Sequence, residues 1–167
     1  MAKLYGTTGK ILKVDLSNEK IDEGELNEEV LRKFVGGTTL GDKNLYELVD
    51  PKIEWSDKRN IIYVGSSPLG KARIAGTGCF SIVTKGTLNN GATSTKANGF
   101  FGAFLKFSGF DGILIEGAAK EWKYLYIHNG KAGLKDARHL LGQNTWDIED
   151  SIKEGDTLKT FLAFQAG

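Results

Sequence analysis

One cysteine, two prolines, two histidines and almost no net charge set the first limits on this chain of 167 residues. With Cys79 alone, an internal disulfide framework is excluded, as is a CxxC pair for zinc, thiol exchange or an iron–sulfur cluster. So cysteine-poor a chain is expected in the reducing cytoplasm. Its 22 basic residues against 21 acidic give a formal charge of +1, and no long-range field gathers nucleic acid or an anionic membrane. No apolar run approaches the roughly 20 residues needed to cross a bilayer, and the start, Met1-Ala2-Lys3-Leu4-Tyr5-Gly6, lacks the apolar stretch of a signal peptide. His128 and His139 stand eleven residues apart, without a carboxylate or second histidine at ligand spacing, so no metal-ligating set is read from them.

Glycine is abundant instead: 22 residues, densest between Gly65 and Gly117. Glycine serves where backbone takes positive φ or approaches something closely, so this density means either many tight turns or a ligand surface lined by backbone. Around it, the apolar pattern is that of one α+β domain over residues 1–167, with mixed sheets and packed helices.

Ile11, Val14 and Leu16, followed by Ser17-Asn18-Glu19-Lys20 and Ile21, predict a β-hairpin. Asn27 caps a helix through Val30, Leu31, Phe34 and Val35 that ends at Gly36-Gly37, and a second helix covers Leu40 to Val49. Strands are expected at Asn60–Val64, Cys79–Thr84 and Gly112–Gly117, with a helix between Ala97 and Phe107. Trp122–His128 and Lys131–Asp136 form a hairpin about Asn129-Gly130. Asn144-Thr145 open a helix that ends near Gly155, and Leu158–Phe164 reads as a last strand.

Several features suggest chemistry, each beside a plainer reading. Gly65-Ser-Ser-Pro-Leu-Gly70-Lys71-Ala72 follows a strand and fits the spacing of a phosphate-wrapping nucleotide loop. Ala72, however, stands where a Ser or Thr would bind Mg²⁺, and glycines 76 and 78 fall where the helix should begin, so a nucleotide loop is rejected. The Gly/Ser/Thr-rich segment with Lys71 and Arg73 reads equally as a cradle for a phosphate or pterin and as an exposed basic loop. Cys79 reads as a small buried apolar group, and Phe100, Phe101, Phe104 and Leu105 as core. Asp111 and Glu116 have opposite strand parity and are expected as solvated ends of their strand, not a converging acid–base pair.

Several stretches, in order along the chain, resemble the amino-terminal domain of the aldehyde:ferredoxin oxidoreductase family. They are Tyr5-Gly6 with Gly9-Lys-Ile-Leu-Lys-Val-Asp-Leu-Ser17, Phe34-Val-Gly-Gly37, Ile61-Ile-Tyr-Val-Gly65 with Ser67-Pro-Leu-Gly70, and Ile82-Val-Thr-Lys85. The most specific is Gly99-Phe-Phe-Gly-Ala-Phe-Leu-Lys-Phe-Ser-Gly-Phe-Asp111, similar to the family's G-[YF]-F-G-A-x-L-K-[FY]-A-G-[YF]-D. Ile113–Gly117, Tyr124–Ile127, Asp136–His139 and Leu141-Gly142 extend the likeness across essentially the whole chain.

The resemblance implies an α+β fold of two related β-sheets that cradles a bis-pterin carrying tungsten or molybdenum. It implies oxidation of aldehydes to carboxylates, with electrons passing through a [4Fe–4S] cluster to ferredoxin. The family's cluster cysteines lie in later domains, so the cluster would need those domains or a partner subunit, and the chain is expected to be incomplete at its C-terminus and inactive alone. The residues implied for the cofactor face are Arg73, Gly76, Gly78, Cys79, Lys96, Asn98 and Gly99, with no catalytic base among them. Two departures stand out: Cys79 and Lys96 occupy positions where the family has a pterin-binding arginine and asparagine. They leave open an alternative, a non-catalytic relative serving as a protein-interaction or assembly module. An exposed docking face would make the isolated chain a homo-oligomer.

Overall fold

A computed structural model describes residues 5–155. Among them a six-stranded mixed sheet has the order β2-β1-β6-β3-β4-β5, and a separate two-stranded sheet pairs β7 with β8. The strands are β1 (Lys10–Asp15), β2 (Lys20–Glu25), β3 (Ile61–Ser66), β4 (Phe80–Lys85), β5 (Ala92–Ala97), β6 (Gly112–Glu116), β7 (Lys123–His128) and β8 (Lys131–Asp136). The helices are α1 (Glu28–Phe34), α2 (Gly37–Leu48), α3 (Phe101–Phe107) and α4 (Thr145–Gly155). β1 and β6 run parallel, and every other pairing is antiparallel.

The strand period of two separates the core into two layers. On one side of the sheet, Ile61, Tyr63, Val83 and Leu114 pack beneath Leu40 and Leu45 of α2, with Val49 and Ile53 beyond. On the other, Leu12, Val14 and Ile113 pack against Leu105 and Phe110, and Leu125, Ile127 and Leu134 of the β7–β8 hairpin close over them. Gly41 lets α2 approach this closely, because a methyl there would collide with Val83 and Tyr63. The Tyr63 ring lies across Gly65 and Gly112, and its buried hydroxyl has no hydrogen-bond partner among the described residues. Burial raises the Tyr63 pKa, and the charge of Asp111 adds to the rise.

Asn27 caps α1 as expected, its side chain accepting from the Val30 N–H at 2.8 Å. Gly36-Gly37 separates the two helices, but α2 begins at Gly37 itself, three residues before the expected Leu40. The helix expected between Ala97 and Phe107 is present as α3, starting later at Phe101, and it is preceded by an unexpected strand. Ala92–Ala97, with three β-branched or hydroxyl residues in its centre, pairs along the whole of β4, and Gly99 at φ +144° breaks the chain before α3 starts. Phe100 and Phe101, expected as core, divide: Phe100 is 58% exposed while Phe101 packs against Phe80, the rings tilted at 53° with centroids 4.9 Å apart. Leu158–Phe164, read as a strand, lies outside the described residues.

Asp111 is not the solvated strand end that its position suggests. It is 4% exposed and accepts from the N–H groups of Thr8 (3.0 Å) and Gly9 (2.8 Å), from the Thr7 hydroxyl (2.5 Å), and from the buried ammonium of Lys106. Lys106 also donates to the Gly6 carbonyl at 2.7 Å. Opposite charges at both ends of this α3–β6 connection therefore anchor the segment that enters β1, which is why the carboxylate is driven inward. Glu116, by contrast, is exposed as expected.

Candidate functional site

The seven residues predicted for a cofactor face fall at one end of the β4–β5 hairpin and on the loop that feeds it. The ladder runs from Lys85↔Ala92 to Phe80↔Ala97, with Ser81 opposite Lys96. Beyond its last pair, Cys79 and Asn98 continue the two strands, and Gly78 and Gly99 follow them. These last two glycines touch: a Cβ on Gly78 would run into the Gly99 carbonyl oxygen, so only glycine permits this approach. Gly78, Cys79, Lys96, Asn98 and Gly99 are thereby brought together.

Arg73 and Gly76 belong to the loop of residues 67–79 that leads into β4. Successive turns hold it: Gly70 N–H donates to Ser67 O (3.0 Å), Ala72 N–H to Leu69 O (2.8 Å), and the Thr77 hydroxyl to Ile74 O (2.8 Å). No helix follows Gly70-Lys71, and the chain passes into β4 instead, as the rejection of a nucleotide loop required. Arg73, Gly76, Lys96 and Asn98 are exposed. Among the described residues, no ion pair engages Arg73 or Lys96. Two exposed cations without an ion pair among the described residues are therefore carried by the loop and the strand that lead to the Gly78–Gly99 contact, a chemistry suited to phosphate.

Cys79 is half-buried, not fully buried as a small core group would be, and its thiol lies 3.8 Å from the Phe80 carbonyl. Sequence reasoning missed the residues that back the site. Ser81, buried beside Lys96, accepts from the Thr38 hydroxyl at 3.0 Å, so the first turn of α2 supports the β4–β5 end from behind. Gly36-Gly37-Thr38-Thr39 was the only signal for this, and such a run is common to ordinary helix starts. Two clefts, of about 460 and 430 Å³, lie elsewhere, along β1, β6 and α2. The β4–β5 end is thus an open surface, suited to form one wall of a site.

The family described as "Aldehyde ferredoxin oxidoreductase, N-terminal domain" matches residues 11–166. The chain belongs to this family. Among its relatives, the tungsten-containing aldehyde ferredoxin oxidoreductase of Pyrococcus abyssi is 34% identical over 151 residues, which are 90% of this chain and 25% of that protein. The "Aliphatic sulfonate oxidoreductase, WOR-like subunit" of Pyrococcus furiosus is 37% identical over 157 residues, 89% of this chain and 24% of that one. A solved structure, the active-site complex BamBC of benzoyl coenzyme A reductase with 1,5-dienoyl-CoA, superposes with a TM-score of 0.89 at 26% identity, covering 93% of this chain and 24% of that one. The chain thus spans about a quarter of the length of the relatives it matches. Among the described residues no cluster of three or more His, Cys, Asp or Glu side chains could hold a metal, and no helix is long and apolar enough to cross a membrane.

Proposed function

We propose that this chain is the pterin-side domain of a tungsten or molybdenum oxidoreductase, one that holds the cofactor but requires further domains or a partner subunit to turn over. The observation that carries this reading is the pairing of Arg73 and Lys96, free of ion pairs, with the close backbone approach of Gly78 and Gly99. The residues present fit such a group. Nothing lies within 4 Å of a Cβ placed on Gly76 or Gly99, which leaves room for a ligand against the backbone at those two positions.

When bound, the metal–pterin supplies the two-electron redox chemistry, and the protein supplies binding, orientation and electrostatics. In this account Arg73 and Lys96 hold the phosphates, the amides of the 76–79 segment and the Asn98 side chain orient the pterin edge, and Cys79 forms part of the wall. No residue of this surface serves as a proton-transfer base. A [4Fe–4S] cluster and delivery of electrons to ferredoxin would depend on residues outside this chain, since Cys79 is its only cysteine. Such an assembly is proposed to work in the cytoplasm.

Replacing Arg73 or Lys96 by Ala is expected to weaken retention of the pterin by about tenfold each, the loss of one exposed charge-assisted contact. Pterin fluorescence after denaturing release measures it, with thermal unfolding as a check that the fold is intact. Undiminished retention in both variants would remove these cations from the site.

One observation favours a second reading. Cys79 and Lys96 stand where the family resemblance calls for an arginine and an asparagine, and a surface that has lost those contacts suits a non-catalytic assembly module. The readings separate on whether cofactor accompanies the chain when it is isolated.

A further inference from the structure

Three asparagines of this chain stand directly before a glycine: Asn90, Asn98 and Asn129. That dipeptide has a chemistry of its own. Because glycine carries no side chain, its amide nitrogen can reach the side-chain carbonyl carbon of the asparagine, close a five-membered succinimide and expel ammonia. Water then opens the ring on either side, giving aspartate or isoaspartate. In a folded chain the reaction needs a glycine N–H that nothing holds, a side-chain amide free to turn, and backbone angles that can change.

The fold separates the three. At Asn90 the conditions fail. The Gly91 N–H donates to the Asn89 side chain at 3.0 Å, the Asn90 amide donates to the Ile53 carbonyl at 2.9 Å, and the Asn90 side-chain oxygen is buried. Asn129 occupies the two-residue turn between β7 and β8, with Asn129 at φ 49° and Gly130 at φ 76°. The paired His128 and Lys131 fix both ends of that turn, so rotating its residues opens the ladder. Asn98 is under none of these restraints. It is exposed and lies one residue beyond Ala97, the last of β5 to pair with β4. Among the described residues no hydrogen bond engages its side chain or the Gly99 N–H. Nothing lies within 4 Å of a Cβ placed on Gly99, which leaves space for the Asn98 side chain to swing toward the Gly99 nitrogen.

We propose that Asn98 is a modification site, converted by attack of the Gly99 nitrogen, loss of ammonia and addition of water into a carboxylate. The balance needs no oxidant or reductant. Its consequence rests on the reading of the β4–β5 end as a cofactor face, and there the change is a switch. The new charge stands two residues from Lys96, within reach of that flexible ammonium arm, so it neutralises the cation and repels phosphate. The isoaspartyl product also adds a carbon to the main chain between Ala97 and Gly99, at the point where Gly78 already approaches the Gly99 carbonyl too closely for any side chain. A ligand lying on Gly99 fills the space that the Asn98 side chain must cross. Occupied protein is thereby protected, and empty protein loses its affinity.

The test holds the full 167-residue chain, free of cofactor, at mildly alkaline pH and follows each Asn-Gly peptide by mass spectrometry. The Asn98 peptide is expected to exchange NH2 for OH, as mixed aspartyl and isoaspartyl forms, at least about tenfold faster than the Asn129 peptide, a factor matching the cost of opening one ladder hydrogen bond. The Asn90 peptide should be the slowest. Asn98→Gln, which would have to close a six-membered ring, should leave that position unchanged, with urea unfolding to show that the variant folds. An intact Asn98, or reaction at Asn90 or Asn129 at an equal or greater rate, would overturn the proposal. Asn98→Asp made directly should retain at least about tenfold less pterin than the wild type. Full retention by Asn98→Asp, while Arg73→Ala and Lys96→Ala lose pterin, would overturn the switch and leave the cofactor reading standing. Conversion of Asn98 in a chain whose wild type never retains pterin defeats the cofactor reading and supports the modification site.

Discussion

Asp111→Asn is expected to cost about 3–5 kcal/mol of folding stability, the loss typical when one partner of a buried ion pair is removed. The carboxylate sits 4% exposed against a Lys106 side chain that is 1% exposed, and three groups of the Thr7–Gly9 segment converge on it. Asparagine keeps the shape but leaves the ammonium buried without its counter-charge. Urea unfolding at neutral pH measures the loss.

The same site sets a pH dependence. Burial alone would raise the Asp111 pKa, but hydrogen bonds from Lys106, Thr7 and Thr8 outweigh it and hold the carboxyl below its ordinary value of 3.8. A carboxyl lowered in the folded state contributes stability that is present above its unfolded value and lost as pH falls through the folded one. The unfolding midpoint of the wild type should therefore fall steeply below about pH 4, and Asp111→Asn should remove this part of the acid sensitivity. An unchanged acid profile in the variant would show that other carboxylates govern it.

Gly78→Ala should cost about 1–3 kcal/mol in stability, as overpacking does, and should also weaken pterin retention by about tenfold. The added methyl meets the Gly99 carbonyl, a backbone atom that cannot rotate away. The two segments have to part, and with them the amides proposed to face the cofactor, at a net loss of about 0.5–1.5 kcal/mol for each hydrogen bond broken. Gly133→Ala in β8 is the control, because nothing lies within 4 Å of its added Cβ. Calorimetry and released-pterin fluorescence on both variants separate the effects. Equal retention in the two would detach the Gly78–Gly99 contact from cofactor binding.

The elements legible in the sequence were those whose signal is local. Asn27 before Glu28-Glu29, the Asn129-Gly130 turn and Asn144 before α4 each carry their own chemistry, and each stands where expected. β5 escaped because its Ala-Thr-Ser-Thr-Lys-Ala has no apolar alternation to follow. A strand whose two faces are both exposed leaves no periodic trace. Asp111 was misjudged for a related reason: its burial depends on Thr7–Gly9, about a hundred residues earlier, and no spacing rule connects them.

Of the candidate site, the grouping of Gly78, Cys79, Lys96, Asn98 and Gly99 could be anticipated from the family resemblance. The physical reason for it, the glycine contact at the end of the hairpin, required the fold. Thr38 and Ser81 behind the site could not be found from sequence, since a part-buried pair of hydroxyls uses residues that are ordinary at any helix start or strand.

The most direct test of the proposed function is the tungsten, molybdenum and pterin content of the chain isolated anaerobically from its native host, by elemental analysis and pterin fluorescence. The account predicts stoichiometric tungsten or molybdenum together with pterin. Absence of metal and pterin, with another protein in stoichiometric association, would contradict it and leave the chain as an assembly module of the family.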